Sequence, residues 1–592
     1  MHVSNLDWTI VAAVLTVTLS IGIYTSRKAG RSSTEFFLSG RTMPWWLLGL
    51  SMVATTFSTD TPNFVTNLVR ERGVSANWEW WAFLITGMLT VFVYARLWRK
   101  SNVKTDMEFY QLRYGGKPAK FLRIFRSLYL GIAFNVLAMS GVTLAAIKIG
   151  QVMLGLSPLE TIGIASFVTV VFSTLGGFRG VVYTDFLLFF LAMAGAIGAA
   201  YYAVNLPEVG GIEKLLAHPN VAGKISILPD FTNKEALVSL LIIPLAVQWW
   251  SAWYPGSEPG GGGYIAQRML AAKDENHAIG ATFFFNVLHY ALRPWPWILV
   301  ALASLVVYPD LNSLQEAFPA VTADKLGHDL GYSAILTKMP SGLLGLVLAS
   351  LIAAYISTIS THLNWGSSYI VNDFYLQQIN KDASEKELVR VGRLSTVVLM
   401  ILSASFALYL QDALELFKFI IAFGAGTGLI FILRWFWWRI NAWSEISAMI
   451  CSGVVSIIFL EVELEPKYLE FPLIVLITTI VWIAVTYLTR PEDKDVLRSF
   501  YNKVQPGGPG WSRVVKEAIT DNVRLEENGS DWVIPKGIAA MLVATTLIYS
   551  ILFATGYWIY GEIITAVVMT IIATILSIIL IKMWKGIRET VF

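Results

Sequence analysis

The sequence predicts an all-α integral membrane protein, and three observations carry that prediction. Of its 592 residues, 55% are hydrophobic and 14% are charged, against about 25% charged in a soluble domain, and the mean hydropathy is +0.59. Apolar segments recur from one end of the chain to the other. Each approaches the roughly 20 residues a helix needs to cross a bilayer while pairing its own backbone. Forty-four Lys and Arg against forty-one Asp and Glu leave a net charge of +3. That is too small a surplus over such a length for a nucleic-acid binder, so the position of charge matters more than its amount. The single cysteine, Cys451, lies in an apolar run and excludes a disulfide framework or a zinc cluster.

Taken in order, fifteen spans are expected, at about 6–26, 44–69, 77–98, 121–150, 157–175, 181–205, 235–263, 276–308, 334–371, 387–411, 413–438, 442–460, 468–489, 534–556 and 561–583. The first reads as a retained helix with its N-terminus outside, because Met1 to Asp7 carries no Lys or Arg whereas Arg27, Lys28 and Arg31 follow the apolar run. Alternation then places Arg96 to Arg126, with nine basic and two acidic residues, inside. It places Pro309 to Ser333 outside, with Asp310, Glu316, Asp324 and Asp329 against Lys325, and likewise Glu461 to Glu470, with four Glu against Lys467. This obeys the positive-inside rule. Fifteen crossings return Lys582, Lys585 and Arg588 to the inside, so the expected setting is an inner or plasma membrane with a cytoplasmic C-terminus. The polar stretch Arg490 to Val533 reads as an internal loop with a short amphipathic helix near Trp511 to Val523, connecting or regulatory. The run Trp435 to Trp438, flanked by Arg434 and Arg439, reads as an interfacial belt with snorkelling arginines.

Two spans are interrupted. The second runs through Ser51, Thr55, Thr56, Ser58, Thr59, Asp60 and Thr61 into Pro62, and the seventh through Trp253-Tyr254-Pro255-Gly256-Ser257-Glu258-Pro259 and Gly260 to Gly263. Proline removes a helix donor, and irregular backbone at membrane depth is tolerated where it lines protein or water. Either break alone is also explained by a kink or by close packing. As a pair five helices apart, they fit two inverted five-helix repeats, each opening with a discontinuous helix.

The ninth span carries Ser357, Thr358, Ser360 and Thr361, with Ser357, Ser360 and Thr361 on one helical face. A hard cation such as sodium is suited to such oxygens together with carbonyls freed at a helix break. Taken singly, each hydroxyl is as readily explained by bonding to its own preceding turn. Asp185, close behind Gly176 to Gly180 and opening an apolar run, is costly in lipid without a cation or partner, or else caps a helix near the surface. Arg293 beside Pro294 likewise implies a partner.

Four stretches, Met43-Pro44-Trp45-Trp46 through Ser58, Gly176-Gly177-Phe178 through Asp185, Gln267 through Lys273, and Ala353 through Thr361 with Asn372-Asp373-Phe374-Tyr375, together resemble the sodium:solute symporter family over about residues 6 to 440. That family includes sodium/glucose, sodium/proline and sodium/sialic acid symporters. The resemblance implies an inverted five-helix repeat of the leucine-transporter type, with one preceding and about four following helices. It also implies a sodium site of the Ala54, Phe57 and Ala354 carbonyls with the Ser357 and Thr358 hydroxyls. Some members bind a second sodium, whose pattern maps onto Asp185, Ser357, Thr358, Ser360 and Thr361. The places of the sugar-binding groups fall on Thr61, Glu79, Ala82, Ser251 and His289, with a gating aromatic at Tyr254. Only the Glu79 and Tyr254 types are retained, and Leu188 stands where a glutamine is usual.

The organisation expected is 1–43, an extra helix and internal loop; 44–206 and 207–440, the two repeats; 441–489, accessory helices; 490–533, an internal loop; and 534–592, the last helices and tail. The expected function is sodium-coupled import of a small polar organic solute, a sugar or a relative, by alternating access. Sodium is the required ion and the bilayer the setting, with no nucleic acid and no obligatory protein partner. Candidate solute residues are Thr61, Glu79, Ser251, Tyr254, Glu258 and His289, with Lys418 as an outsider. Glu258 is equally read as an ion-pair partner of Arg293, and His289 and His362 as satisfied core histidines. One alternative is a proton-coupled or uncoupled carrier of the same fold using Asp185. Another is a membrane-embedded enzyme or sensor, for which the chain offers no HExxH, nucleophile elbow or phosphate loop.

Overall fold

Backbone amides in lipid must be paired within their own segment, and the apolar runs accordingly fold as helices. The structure is a computed structural model that describes residues 3–29, 31–56, 58–251, 258–319, 321–322, 325–411, 413–462, 464–525, 532 and 534–591. In chain order the helices used below are α1 (Asn5–Arg27), α2 (Trp45–Thr55), α3 (Asp60–Arg72), α4 (Val74–Ser101), α5 (Gly116–Leu154), α6 (Pro158–Val204), α7 (234–246) and α8 (Gly263–Ala271). They continue as α9 (Glu275–Val307), α10 (Leu343–Ile379), α11 (Glu385–Ala407), α12 (Ala413–Ala425), α13 (Gly428–Leu433), α14 (Ala442–Phe459) and α15 (Lys467–Leu488). The last are α16 (Lys494–Val504), α17 (Ser512–Thr520), α18 (Ile534–Tyr560) and α19 (Ile563–Trp584).

Among the described residues, 11 helical runs are long and apolar enough to cross a membrane. They hold twelve of the expected spans, because α6 joins 157–175 and 181–205 across a bend at Gly177 (φ 54°, ψ −165°) that only glycine adopts readily. The other three expected spans are each split into two shorter helices. The second is α2 and α3, the seventh α7 and α8, and the eleventh α12 and α13. The seventh was expected to end at 263, but its second half, α8, begins there and runs to Ala271. The ninth was expected from 334. A separate short helix, Leu330–Leu336, precedes it, and α10 begins at Leu343.

Burial ranks the helices. In their most apolar stretches 83% of α10 but 17% of α19 is covered by protein, so α10 is central and α19 peripheral. Elements expected on one side of the membrane meet each other. The Asp7 carboxylate accepts from the Gly342 and Gly345 amides (2.7 and 2.8 Å), and Arg70 donates to the Tyr308 carbonyl (2.8 Å). At the other end Ser33 N–H donates to Glu385 (2.6 Å), Gly115 N–H to Glu492 (2.8 Å) and Arg99 to the Ala272 carbonyl (3.1 Å).

The polar stretch after α15 forms two helices, α16 and α17, docked on the bundle. Trp511 is fully buried and donates to the Trp435 carbonyl (2.9 Å), while Arg113 lies over the Phe500 and Trp511 rings. The snorkelling expected of Arg434 is not observed. Its guanidinium is buried between Glu258 (3.4 Å) and Glu445 (3.3 Å), since two carboxylates offset a desolvation that lipid would not. Arg439 instead reaches the Thr489 carbonyl (2.6 Å).

The glycine run before α8 is a steric requirement at Gly260, where φ is +86° and an added Cβ would stand 2.9 Å from the Tyr94 ring. Tyr94 cannot yield freely, because its hydroxyl donates to the Ile432 carbonyl (2.9 Å). Gly260→Ala is expected to cost about 2–4 kcal/mol, from a left-handed backbone and overpacking together. Gly155→Ala, at φ +66° with nothing within 4 Å, bears only the first cost. The thermal midpoints of the two purified variants compare them directly.

Candidate ion and solute site

Hydroxyl side chains that compete for backbone bonds end α2 at Thr55. Thr56 Oγ1 donates to the Val53 carbonyl (2.9 Å), and Thr59 Oγ1 leaves the segment to donate to the Val142 carbonyl (3.0 Å). α2 ends at Thr55, and α3 begins at Asp60. Pro62 therefore sits in the first turn of α3, where its missing N–H is one that no helix would satisfy, and it starts a helix instead of ending one. Phe57 lies outside the described residues.

The carbonyls freed at the end of α2 are claimed by side chains from two other helices. Thr358 on α10 donates to the Thr55 carbonyl (2.7 Å), and Thr55 and Thr361 hydroxyls lie 3.1 Å apart. From α9, Arg293 donates to the Val53 (3.0 Å) and Thr56 (2.7 Å) carbonyls and to the Thr56 hydroxyl (2.9 Å), with its guanidinium over the Trp297 ring. These carbonyls are part of what compensates Arg293. Ala54 and Ala354, like Ser357 and Thr358, are buried beside this crossing of α2 and α10.

Asp185, on the second half of α6, is fully buried and does not cap a helix end. Its two oxygens accept from Ser357 (2.5 Å) and Ser51 (2.5 Å). Its cation is Arg268 of α8, 3.4 Å away and also fully buried. The same guanidinium donates to Ser51 (3.0 Å), Thr55 (2.9 Å) and Thr361 (3.0 Å), so it fills the space between α2, α6 and α10. Ser360 turns back to the Ser357 carbonyl (3.1 Å). In sequence Arg268 falls within the Gln267 to Lys273 stretch but carries no assigned role, because the expected span ends at 263, where α8 begins. The signal was a lone arginine among the apolar residues of Gly263 to Ala271.

The solute candidates fall into separate groups. Thr61, which donates to the Thr56 carbonyl (3.3 Å), and His289, whose Nδ1 lies 3.2 Å from Thr56 Oγ1, gather at the first break. Ser251 and Glu79 are linked through Gln248. Ser251 donates to its carbonyl (2.8 Å), and its amide donates to the Glu79 carbonyl (2.7 Å), while the Glu79 carboxylate pairs with Arg72 (2.6 Å). Glu258 stands apart, with both oxygens engaged by Arg126 and Arg434 and no pairing to Arg293 among the described ion pairs. Lys418 is exposed, and Tyr254 lies outside the described residues. His362 is a buried core histidine, its Nδ1 2.5 Å from Asn135 Oδ1. One polar residue was missed. Asn286 is fully buried on α9, its Oδ1 has no partner among the described residues, and it lines a cavity of about 20 Å³ with Thr86, Thr90 and Glu258.

A family model described as the sodium:solute symporter family matches residues 36–452. The chain is similar to a sodium/glucose cotransporter of Vibrio parahaemolyticus, with 26% identity over 83% of this chain and 92% of that one. It is also similar to sodium/glucose cotransporter 4 of Danio rerio, at 26% over 90% and 84%, and to the sodium/myo-inositol cotransporter of Bos taurus, at 27% over 74% and 64%. Among solved structures it shares the fold of a sodium-coupled sialic acid symporter in a substrate-bound outward-open state. The TM-score is 0.66 at 21% identity, covering 83% of this chain and 99% of that one.

Proposed function

Because this chain belongs to the sodium:solute symporter family, we propose that it moves a small hydroxyl-rich solute, a sugar or polyol, into the cell with sodium by alternating access. The protein is a multi-pass membrane protein and not an enzyme. The observation that carries the reading is the crossing of α2 and α10, where an alcohol-bearing helix meets a helix end with freed carbonyls at 2.7 Å. There the carbonyls of Ala54, Phe57 and Ala354 and the hydroxyls of Ser357 and Thr358 would hold sodium as co-substrate. The position defined by Asp185, Ser360 and Thr361 with Ser357 and Thr358 carries a tethered cation, Arg268. This favours one sodium per cycle, worth about 2.3 kcal/mol per 100 mV of membrane potential.

The solute would lie between the two broken helices, with Thr61 and His289 at the first, Ser251 and Tyr254 at the second, and Glu79 and Asn286 beside them. Glu258 is assigned to holding α8 through Arg126 and Arg434. The finer organisation belongs to the same proposal. It comprises fifteen crossings, the N-terminus outside, the C-terminus cytoplasmic, and repeats over 44–206 and 207–440, with 1–43 before them and 441–489, 490–533 and 534–592 after. A proton-coupled carrier would use Asp185, whose oxygens are held by two serines and an arginine. Uptake of labelled glucose and of myo-inositol into proteoliposomes tests the reading. Replacing sodium by choline is expected to drop the initial rate to the protein-free background, and equal rates with the two cations would overturn it.

A further inference from the structure

Between α5, α12 to α13 and α14 lies an apolar crevice of about 350 Å³, within the roughly 300–1,000 Å³ of ligand pockets. Its wall on α5 is a ladder at helical spacing. Phe121 stacks on Phe125 (5.6 Å, 15°) and Phe125 on Tyr129 (5.5 Å, 15°), and all three line the crevice. The opposite wall is Ile446, Ile450, Val454 and Ile457 of α14, and its floor includes Phe423 and Phe431. The mouth faces outward from the bundle, since Phe121 is 52% exposed, Ile450 62% and Val454 51%.

The i, i+4 ladder continues one turn toward the basic end of α5 to Lys117, and Lys120 adjoins it. Both lysines are exposed, and neither is in an ion pair among the described residues. Trp443, 51% exposed, precedes Ile446 by three residues on the facing helix. The crevice thus has cationic groups and an indole at its interfacial end and mostly hydrocarbon walls above them, with the Arg126–Glu258 pair at its floor. That polarity matches an anionic lipid and not a water-soluble solute, because basic groups between membrane helices attract anionic headgroups while an apolar slot accepts an acyl chain.

We propose that this crevice holds one anionic phospholipid, its phosphate on Lys117 and Lys120 and an acyl chain between the Phe121–Phe125–Tyr129 ladder and α14. The lipid would wedge α14 against the helix that carries Arg126, and so support the Arg126–Glu258 pair at the crevice floor. This assignment is independent of the transport reading, and its test measures no transport. The full chain is purified in detergent, stripped of lipid, and titrated with phosphatidylglycerol or phosphatidylcholine while bound lipid is counted by native mass spectrometry. One phosphatidylglycerol per chain is expected to be retained, at least about tenfold in preference to phosphatidylcholine. Lys117→Gln with Lys120→Gln, both at the surface, is expected to bring the two lipids to parity. Val454→Trp, which adds bulk from the exposed rim, is expected to lose both. Equal retention of the two lipids by the unaltered chain, or an undiminished preference in the double lysine variant, would overturn the proposal.

Discussion

Ser357→Ala and Thr358→Ala are each expected to raise the sodium concentration for half-maximal uptake by about ten- to a hundredfold. The figure follows from the ligand chemistry. A bond from an oxygen to a charged group is worth about 1.5–3 kcal/mol net, and each 1.4 kcal/mol is a factor of ten in affinity. Alanine leaves the helix intact but removes one hard oxygen from a set that has no carboxylate to spare. The two variants differ in a second respect. Thr358 also holds the Thr55 carbonyl at the end of α2 (2.7 Å), whereas Ser357 donates to Asp185 (2.5 Å), so Thr358→Ala should loosen the broken helix as well. Ser360→Ala is the internal control, because that hydroxyl is occupied with the Ser357 carbonyl (3.1 Å). With one sodium per cycle it should leave the sodium dependence unchanged, and a comparable loss there would require a second ion. Sodium titration of uptake in all three reads the outcome, and unaltered curves for Ser357→Ala and Thr358→Ala would remove the assigned site.

How much of this was legible beforehand depended on whether a signal was local. Span positions were, because a run of apolar residues long enough for a bilayer has one low-cost conformation. The break in the second span was legible too, although it falls among the hydroxyls ahead of Pro62, whereas the split of the eleventh span into α12 and α13 was not. What was misread was long-range. Pro62 marks the interrupted span in sequence, but it lies in the first turn of α3, and only the register of that helix places the break before it. Arg434 reads as a snorkelling residue beside aromatics, but Glu258, 176 residues away in sequence, and Glu445, 11 residues on, lie against it. Glu258 reads as a solute residue from its place in the broken span, but Arg126 of α5 and Arg434, just past α13, engage its oxygens. A charge's partner cannot be read from its neighbours in sequence, and the corrections at Arg434 and Glu258 are of this kind.

The largest effect on stability is expected at Arg268. Arg268→Ala would leave the Asp185 carboxylate fully buried with two serine hydroxyls and no cation, and breaking such a pair costs about 3–5 kcal/mol because the remaining charge is uncompensated. The thermal midpoint of the purified variant should fall accordingly. Adding Asp185→Asn should recover most of the loss, since the double variant buries no net charge, and that recovery separates a charge effect from lost packing. Arg268→Lys should recover little. An ammonium is a point charge without the planar fork that reaches Ser51, Thr55, Thr361 and Asp185 together. Sodium discriminates further. If Arg268 occupies a place that an ion would otherwise take, the alanine variant should be stabilised by sodium over choline more strongly than the unaltered chain, because Asp185, Ser357, Ser360 and Thr361 would then face an open cation position. An Arg268→Ala protein as stable as the unaltered one would mean that the pair contributes nothing. A destabilised variant indifferent to sodium would mean that the arginine supports the fold without standing in for an ion.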